Sequence, residues 1–173
     1  MYKSIPLHTN RMYSFLMNDW DEEISGVFIA EGTQWILLYD NQNDFLLDGL
    51  RFVHKHNIEE ICIDEDAHFK ETILGLKYPN LNMNFSFTLN SSEVVLQALK
   101  DKDQLLHFDT DDDEEIIVGK IETVGADTFQ LKTLSELGTW GESVTLRFSE
   151  LSSIAIENDY LKSLSLYLNQ SEK

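Results

Sequence analysis

Cysteine occurs once in the 173 residues, at Cys62. No intrachain disulfide can form, which argues against a small secreted scaffold stapled by bridges. Basic residues are also scarce: 13 Lys and Arg face 31 Asp and Glu, for a formal net charge of −18. Nucleic-acid affinity comes largely from cations that displace condensed counterions, so this balance disfavours nucleic acid as a partner. It disfavours anionic membrane surfaces equally, and an acidic surface otherwise serves solubility. No apolar run approaches the roughly 20 residues of a membrane helix. The first residues, Met1-Tyr2-Lys3-Ser4-Ile5-Pro6, hold neither the basic cluster nor the apolar run of a signal peptide, and a cytoplasmic location is expected. Phosphate-cradling loops are missing, because Gly125, Gly138 and Gly141 match neither dinucleotide nor P-loop spacing. No glycine-flanked serine elbow occurs.

What the sequence does hold is a core and a repeat. Hydrophobic residues make up 42% and aromatics 11%, enough for a packed interior. Asp21-Glu22-Glu23-Ile24 returns as Asp113-Glu114-Glu115-Ile116. Beyond it, a constant offset of 93 carries Gly26 onto Gly119, Gly32 onto Gly125, Leu38 onto Leu131, Ile61 onto Ile154 and Ile63 onto Ile156. Apolar positions and glycines hold register while polar ones diverge, the pattern of an old duplication. Upstream, an offset of 82 aligns Ser4-Ile5-Pro6-Leu7 with Ser86-Phe87-Thr88-Leu89. The difference implies an acidic insertion in the second copy near residues 104–113, and divides the chain into units 1–80 and 81–173.

Leu81, Met83, Phe85, Phe87 and Leu89 alternate with polar residues, the period of a half-buried strand. Asn90 and Glu93 have capping-box spacing ahead of a short helix, whose counterpart in the first copy falls near residues 11–17. Strands are expected at 23–31, 34–39, 45–47, 50–54 and 60–64, and again at 116–123, 128–133, 144–148 and 153–157. A closing helix follows each set, at 69–77 and 160–169. Short, bent strands bury little as a flat sheet, whereas rolling them up removes the edges. The expected fold class is therefore α+β, mostly β, with two tandem small barrels and short flanking helices.

Three segments resemble a known fold: Glu23-Ile24-Ser25-Gly26-Val27-Phe28-Ile29-Ala30, Trp35-Ile36-Leu37-Leu38-Tyr39-Asp40 and Ile58-Glu59-Glu60-Ile61-Cys62-Ile63. They look like the opening and closing strands of the Sm-like fold, an SH3-like five-stranded barrel entered through a short helix. The likeness covers about forty residues of each copy. It implies an RNA pocket built on a basic–glycine pair between the last two strands. The chain instead has His54-Lys55-His56-Asn57 and Phe148-Ser149-Glu150-Leu151 there, so that function does not carry over.

Chemistry-bearing residues are few. His54 and His56 would project to one face of a strand, with Cys62 and Asp64 on the next. Two imidazoles with a carboxylate make a zinc or iron donor set, and His54, His56 and Asp64 are the metal candidates. The second copy has Leu146, Phe148 and Glu157 nearby instead, and Cys62 between Ile61 and Ile63 reads as a core residue. Asp109-Thr110-Asp111-Asp112-Asp113 begins like a calcium loop, yet Glu114 replaces the required glycine and Lys120 the bidentate glutamate. That run reads as a solvated acidic loop whose Asp111, Asp112 and Asp113 would attract a basic segment. Trp140, between Gly138 and Gly141, is a candidate partner anchor. The expectation is a non-catalytic binding or scaffolding protein with no cofactor and a partner of basic surface. A metal-dependent enzyme around the His/Asp cluster is the rival, and RNA binding the third reading.

Overall fold

Tyr13, Phe15 and Met17 enter one apolar cluster while Met12 enters another, so the first apolar segment follows the two-residue period of a strand. It forms β1 (Met12–Met17), not the helix expected near 11–17. Both of its faces are buried, and a segment apolar on both faces shows no alternation in the sequence. The computed structural model, which describes residues 5–111 and 116–171, continues through β2 (Glu23–Glu31), β3 (Trp35–Asp40) and β4 (Leu50–His54). A one-turn helix (Lys55–Asn57), β5 (Ile58–Cys62) and α1 (Ala67–Lys77) complete the first unit. After α2 (Ser92–Asp101) come β6 (Leu106–Thr110), β7 (Ile116–Val124), β8 (Thr128–Leu134) and β9 (Trp140–Arg147). A second one-turn helix (Phe148–Glu150), β10 (Leu151–Ile156) and α3 (Asp159–Ser171) close the chain's mostly β, α+β fold.

The offset of 93 is visible in the backbone. It lays β2 on β7, one one-turn helix on the other, and the start of β5 on the start of β10. The register shift between Phe28 and Ala30 recurs between Ile121 and Thr123. A Cβ on Gly26 would stand 2.4 Å from the Tyr39 carbonyl oxygen, and one on Gly119 2.1 Å from that of Lys132. Both glycines therefore mark the same close strand crossing. The offset also carries β1 onto β6, so residues 106–110 are strand, and the second unit's additional residues lie ahead of β6 with α2.

All ten strands form one antiparallel sheet in the order β5-β1-β2-β3-β4-β10-β6-β7-β8-β9. Each unit repeats the same internal order: fifth strand, first, second, third, fourth. Two closed barrels were expected, whereas this ladder is open at β5 and β9. The outer edge of β4 bonds to β10 of the other unit, pairing Phe52 with Ile154 and Arg51 with Ala155. The main core lies across that seam, with Trp35, Leu37 and Phe52 from the first unit against Phe108, Phe129 and Leu131 from the second. Each such side chain contributes about 1.5–3 kcal/mol by leaving water. Neither unit encloses this core alone.

Three local expectations change. Residues 81–89 keep their alternation, with Met83, Phe85, Phe87 and Leu89 on the main core, but they lie outside the ladder as an extended strap. Residues 45–47 form no strand, only an isolated bridge from Asn43 to Leu46. Ser91 rather than Asn90 caps α2, its Oγ accepting from Val94 N at 3.3 Å, while Asn90 Oδ1 accepts from Thr33 N. Among the described residues no helix is long and apolar enough to cross a membrane.

Candidate functional site

Arg51 is the one charged residue of Leu50-Arg51-Phe52-Val53, in a strand whose every position is buried. A guanidinium held there must be paired, because a buried charge without partners is costly. Asp40 on β3 and Asp109 on β6 supply the partners. Arg51 Nε donates to Asp40 Oδ2 at 2.9 Å, and Nη1 donates to Asp109 Oδ2 at 2.6 Å and to Ser153 Oγ at 2.8 Å. Ser153 on β10 also donates to Asp109, whose other oxygen meets His107 Nε2 at 2.8 Å. One guanidinium thus ties four strands, two from each unit.

The two carboxylates differ. Burial would raise Asp109, yet the His107 hydrogen bond and the Arg51 charge outweigh it and hold its carboxyl below the ordinary range. Burial raises Asp40, and Arg51 offsets this only in part. Asp40 Oδ1 finds no hydrogen-bond partner among the described residues, which leaves its charge less compensated. Burial acts against the Arg51 charge as well, but the two carboxylates overcome it and keep the guanidinium firmly protonated.

Above this network opens a cleft of about 480 Å³. Its walls come from the β1–β2 turn, where Asp19 takes φ 62°, and from the start of β2: Trp20, Asp21, Glu22, Glu23 and Ile24. Arg51, His107 and Asp109 contribute from the seam, and Ile116 from the start of β7. Both acidic tetrapeptides of the repeat therefore reach this place, the first through all four residues and the second through its final isoleucine. Trp20 Nε1 is buried there without a partner among the described residues. A neighbouring cleft of about 490 Å³ shares Gln42, His107 and Ile116 and runs on to Tyr160. The lining suits a cationic group carried on an apolar stem.

The sequence candidates lie elsewhere or in part. His54 Nε2 meets Ser92 Oγ at 3.2 Å, its Nδ1 meets His56 Nδ1, and His56 Nε2 meets the Ser149 carbonyl at 3.1 Å. All ring nitrogens of the pair are thus engaged within the protein. The His54 ring stands edge-on to Trp35, and burial, followed by the neighbouring His56, lowers its pKa to about 3. Asp64 is not in that group; its Oδ2 accepts from Ser14 Oγ at 2.8 Å. Among the described residues no three His, Cys, Asp or Glu side chains converge as a metal set. Cys62 is half-buried opposite Ser14, and burial raises its thiol pKa. Asp111 is exposed just beyond β6, while Asp112 and Asp113 fall outside the described residues. Trp140 begins β9 opposite Leu134 and is exposed.

Serine, aspartate and histidine do meet at the seam, but in the wrong order for nucleophilic catalysis. Ser153 is fully buried and bonded to Asp109, and His107 lies beyond that carboxylate, so no imidazole touches the hydroxyl. The sequence reading missed the members of this network because Arg51 and Ser153 are 102 residues apart. One signal was present: an arginine inside an apolar strand of a chain poor in cations. No protein-family model, no curated protein and no solved structure matches this chain.

Proposed function

We propose that the chain is a non-catalytic binding or scaffolding module, and that it seats a basic, partly apolar segment of a partner protein in the seam cleft. The observation that carries this reading is the lining itself: Asp21, Glu22 and Glu23 at one wall, Trp20 and Ile116 as apolar surface, over a floor fixed by ion pairs. Carboxylates beside apolar surface favour a Lys or Arg whose stem packs while its head is paired. The repeated strand order and the one-turn helix ahead of each closing strand support a finer reading, in which each unit is a small SH3-like barrel of the Sm-like type. Duplication then supplies the seam, which a single unit lacks.

Titration of a fluorescent lysine- and arginine-rich peptide with an interspersed leucine tests the reading. Asp21→Lys should weaken binding severalfold, while Glu122→Lys, an equal charge change at an exposed position away from the cleft, should weaken it far less. Equal losses from both variants would mean attraction by overall charge and would overturn the cleft assignment.

A further inference from the structure

The seam cleft does not end at Ile116. Gln42, His107 and Ile116 also line the neighbouring cleft, which continues over Val118, Leu134 and Tyr160 with Asp48 and Glu136 among its walls. One row of the sheet runs beneath both. Arg51 pairs with Ala155, Ala155 with His107 and His107 with Val118, and Leu134 stands beside Val118 one step past the Gly119–Thr133 pair. Directly paired residues share a face, so this row is a common floor. Adjacent strands lie about 4.8 Å apart, which makes the row from Arg51 to Leu134 about 19 Å long.

The walls are acidic and the middle is apolar. Asp21, Glu22 and Glu23 stand in the first cleft, and Glu136 follows Leu134 at the far end. Among the described residues that line the two clefts Arg51 is the one Lys or Arg, and Asp40 and Asp109 already hold its guanidinium. The apolar middle belongs to the second unit alone. The offset of 93 sets Ile116, Val118 and Leu134 on Glu23, Ser25 and Asn41, and Tyr160 on Ala67. The first unit folds with polar or small residues at those positions, so the framework does not require the larger apolar ones. Two of them also face solvent, Ile116 at 60% exposure and Tyr160 at 45%.

Given that the seam cleft seats a basic segment, we infer that this segment is an extended stretch of about six residues with one cation near each end and a large apolar side chain between them. An extended chain advances about 3.3 Å per residue, so six residues match the length of the row. One cation meets Asp21, Glu22 and Glu23, the apolar side chain rests on Ile116 and Tyr160, and the second cation meets Glu136. Asp48 adds its charge to the second cleft, but its Oδ1 accepts from Asp159 N at 2.8 Å at the start of α3. The exposed Glu136 is therefore the carboxylate that selects the far cation. Such a groove distinguishes spaced cations from adjacent ones, which a uniformly acidic surface does not.

Fluorescence titration of two isomeric hexapeptides against the whole chain tests this. One carries lysine at each end, leucine at the third position and serine elsewhere; the other has both lysines at one end. The spaced peptide should bind about fivefold more tightly, because only it reaches both acidic ends. Glu136→Gln should remove most of that advantage, while Asp21→Lys should weaken both peptides. Replacing the leucine by serine should weaken the spaced peptide about fivefold or more. Both protein substitutions lie at exposed positions, and unchanged thermal melts would show that the fold is intact. Equal binding of the two isomers, or a spaced peptide indifferent to Glu136→Gln, would overturn the two-ended segment; a persisting effect of Asp21→Lys would then leave the cleft itself standing. Indifference to Asp21→Lys as well would remove the cleft and the segment together. A serine peptide that binds as tightly as the leucine one would mean a site for charge alone, and would equally overturn the inference.

Discussion

The seam and the ends of the sheet are built from the same strands twice over, and they differ in nearly everything but backbone. At the seam, β4 and β10 are buried along their length and bound by Arg51 to Asp40, Asp109 and Ser153. At the ends, β9 and β5 keep the fold's positions but hold Val144 where Arg51 stands and Glu60 where Ser153 stands. The duplicated property is the strand framework; the polar residues that weld one pair of edges are confined to one pair. Divergence after duplication thus separated a permanent joint from an open one.

The comparison breaks most severely at Arg51. Arg51→Met leaves Asp40 and Asp109 buried without their cation and should cost about 3–5 kcal/mol in urea unfolding. Val144→Met, the same position in the second unit, should change stability by less than about 1 kcal/mol. Next come the glycines, where the units should agree. Gly26→Ala and Gly119→Ala each force a Cβ against a carbonyl oxygen and should each cost about 1–3 kcal/mol. A large loss from one alone would mean that the crossings are not equivalent.

His54 sharpens the comparison through pH. Its pKa is depressed from 6.5 to about 3 in the folded chain, so the unfolded chain binds the extra proton between those values. Its stabilising contribution is complete above pH 6.5 and falls as pH drops toward 3, by at most about 1.4 kcal/mol per unit. His54→Gln should flatten that part of the pH–stability curve, and an unchanged slope would refute the assignment. The smallest effect belongs to Trp140 on the free edge, where Trp140→Ala should alter the melt by only about 0.5 kcal/mol.

Much of this architecture was legible in the sequence where turn residues bracket an apolar run. Residues 23–31 and 50–54 are strands at the expected boundaries, and the offset of 93 survives in bulge, glycine crossing and one-turn helix. Legibility failed at β1 and β6. β1 shows no alternation because both faces are covered, and β6 ends inside the acidic run, where Asp109 and Thr110 are buried although they read as a solvated loop. The strap at 81–89 alternates like a strand but reaches no ladder, since periodicity reports a covered face rather than a hydrogen-bonded neighbour. The seam was invisible for a further reason. Asp40 and Arg51 meet across β3 and β4, but Asp109 joins them only when β4 finds β10.

Amide hydrogen exchange on dilute protein, resolved strand by strand, addresses the contrast between seam and ends most directly. In β4 and β10 every amide should exchange only with global unfolding, because both edges of each strand are bonded. In β9 and β5 the amides that face away from β8 and β1 should exchange orders of magnitude faster. Equal protection of β4 and β9 at high dilution would contradict the account.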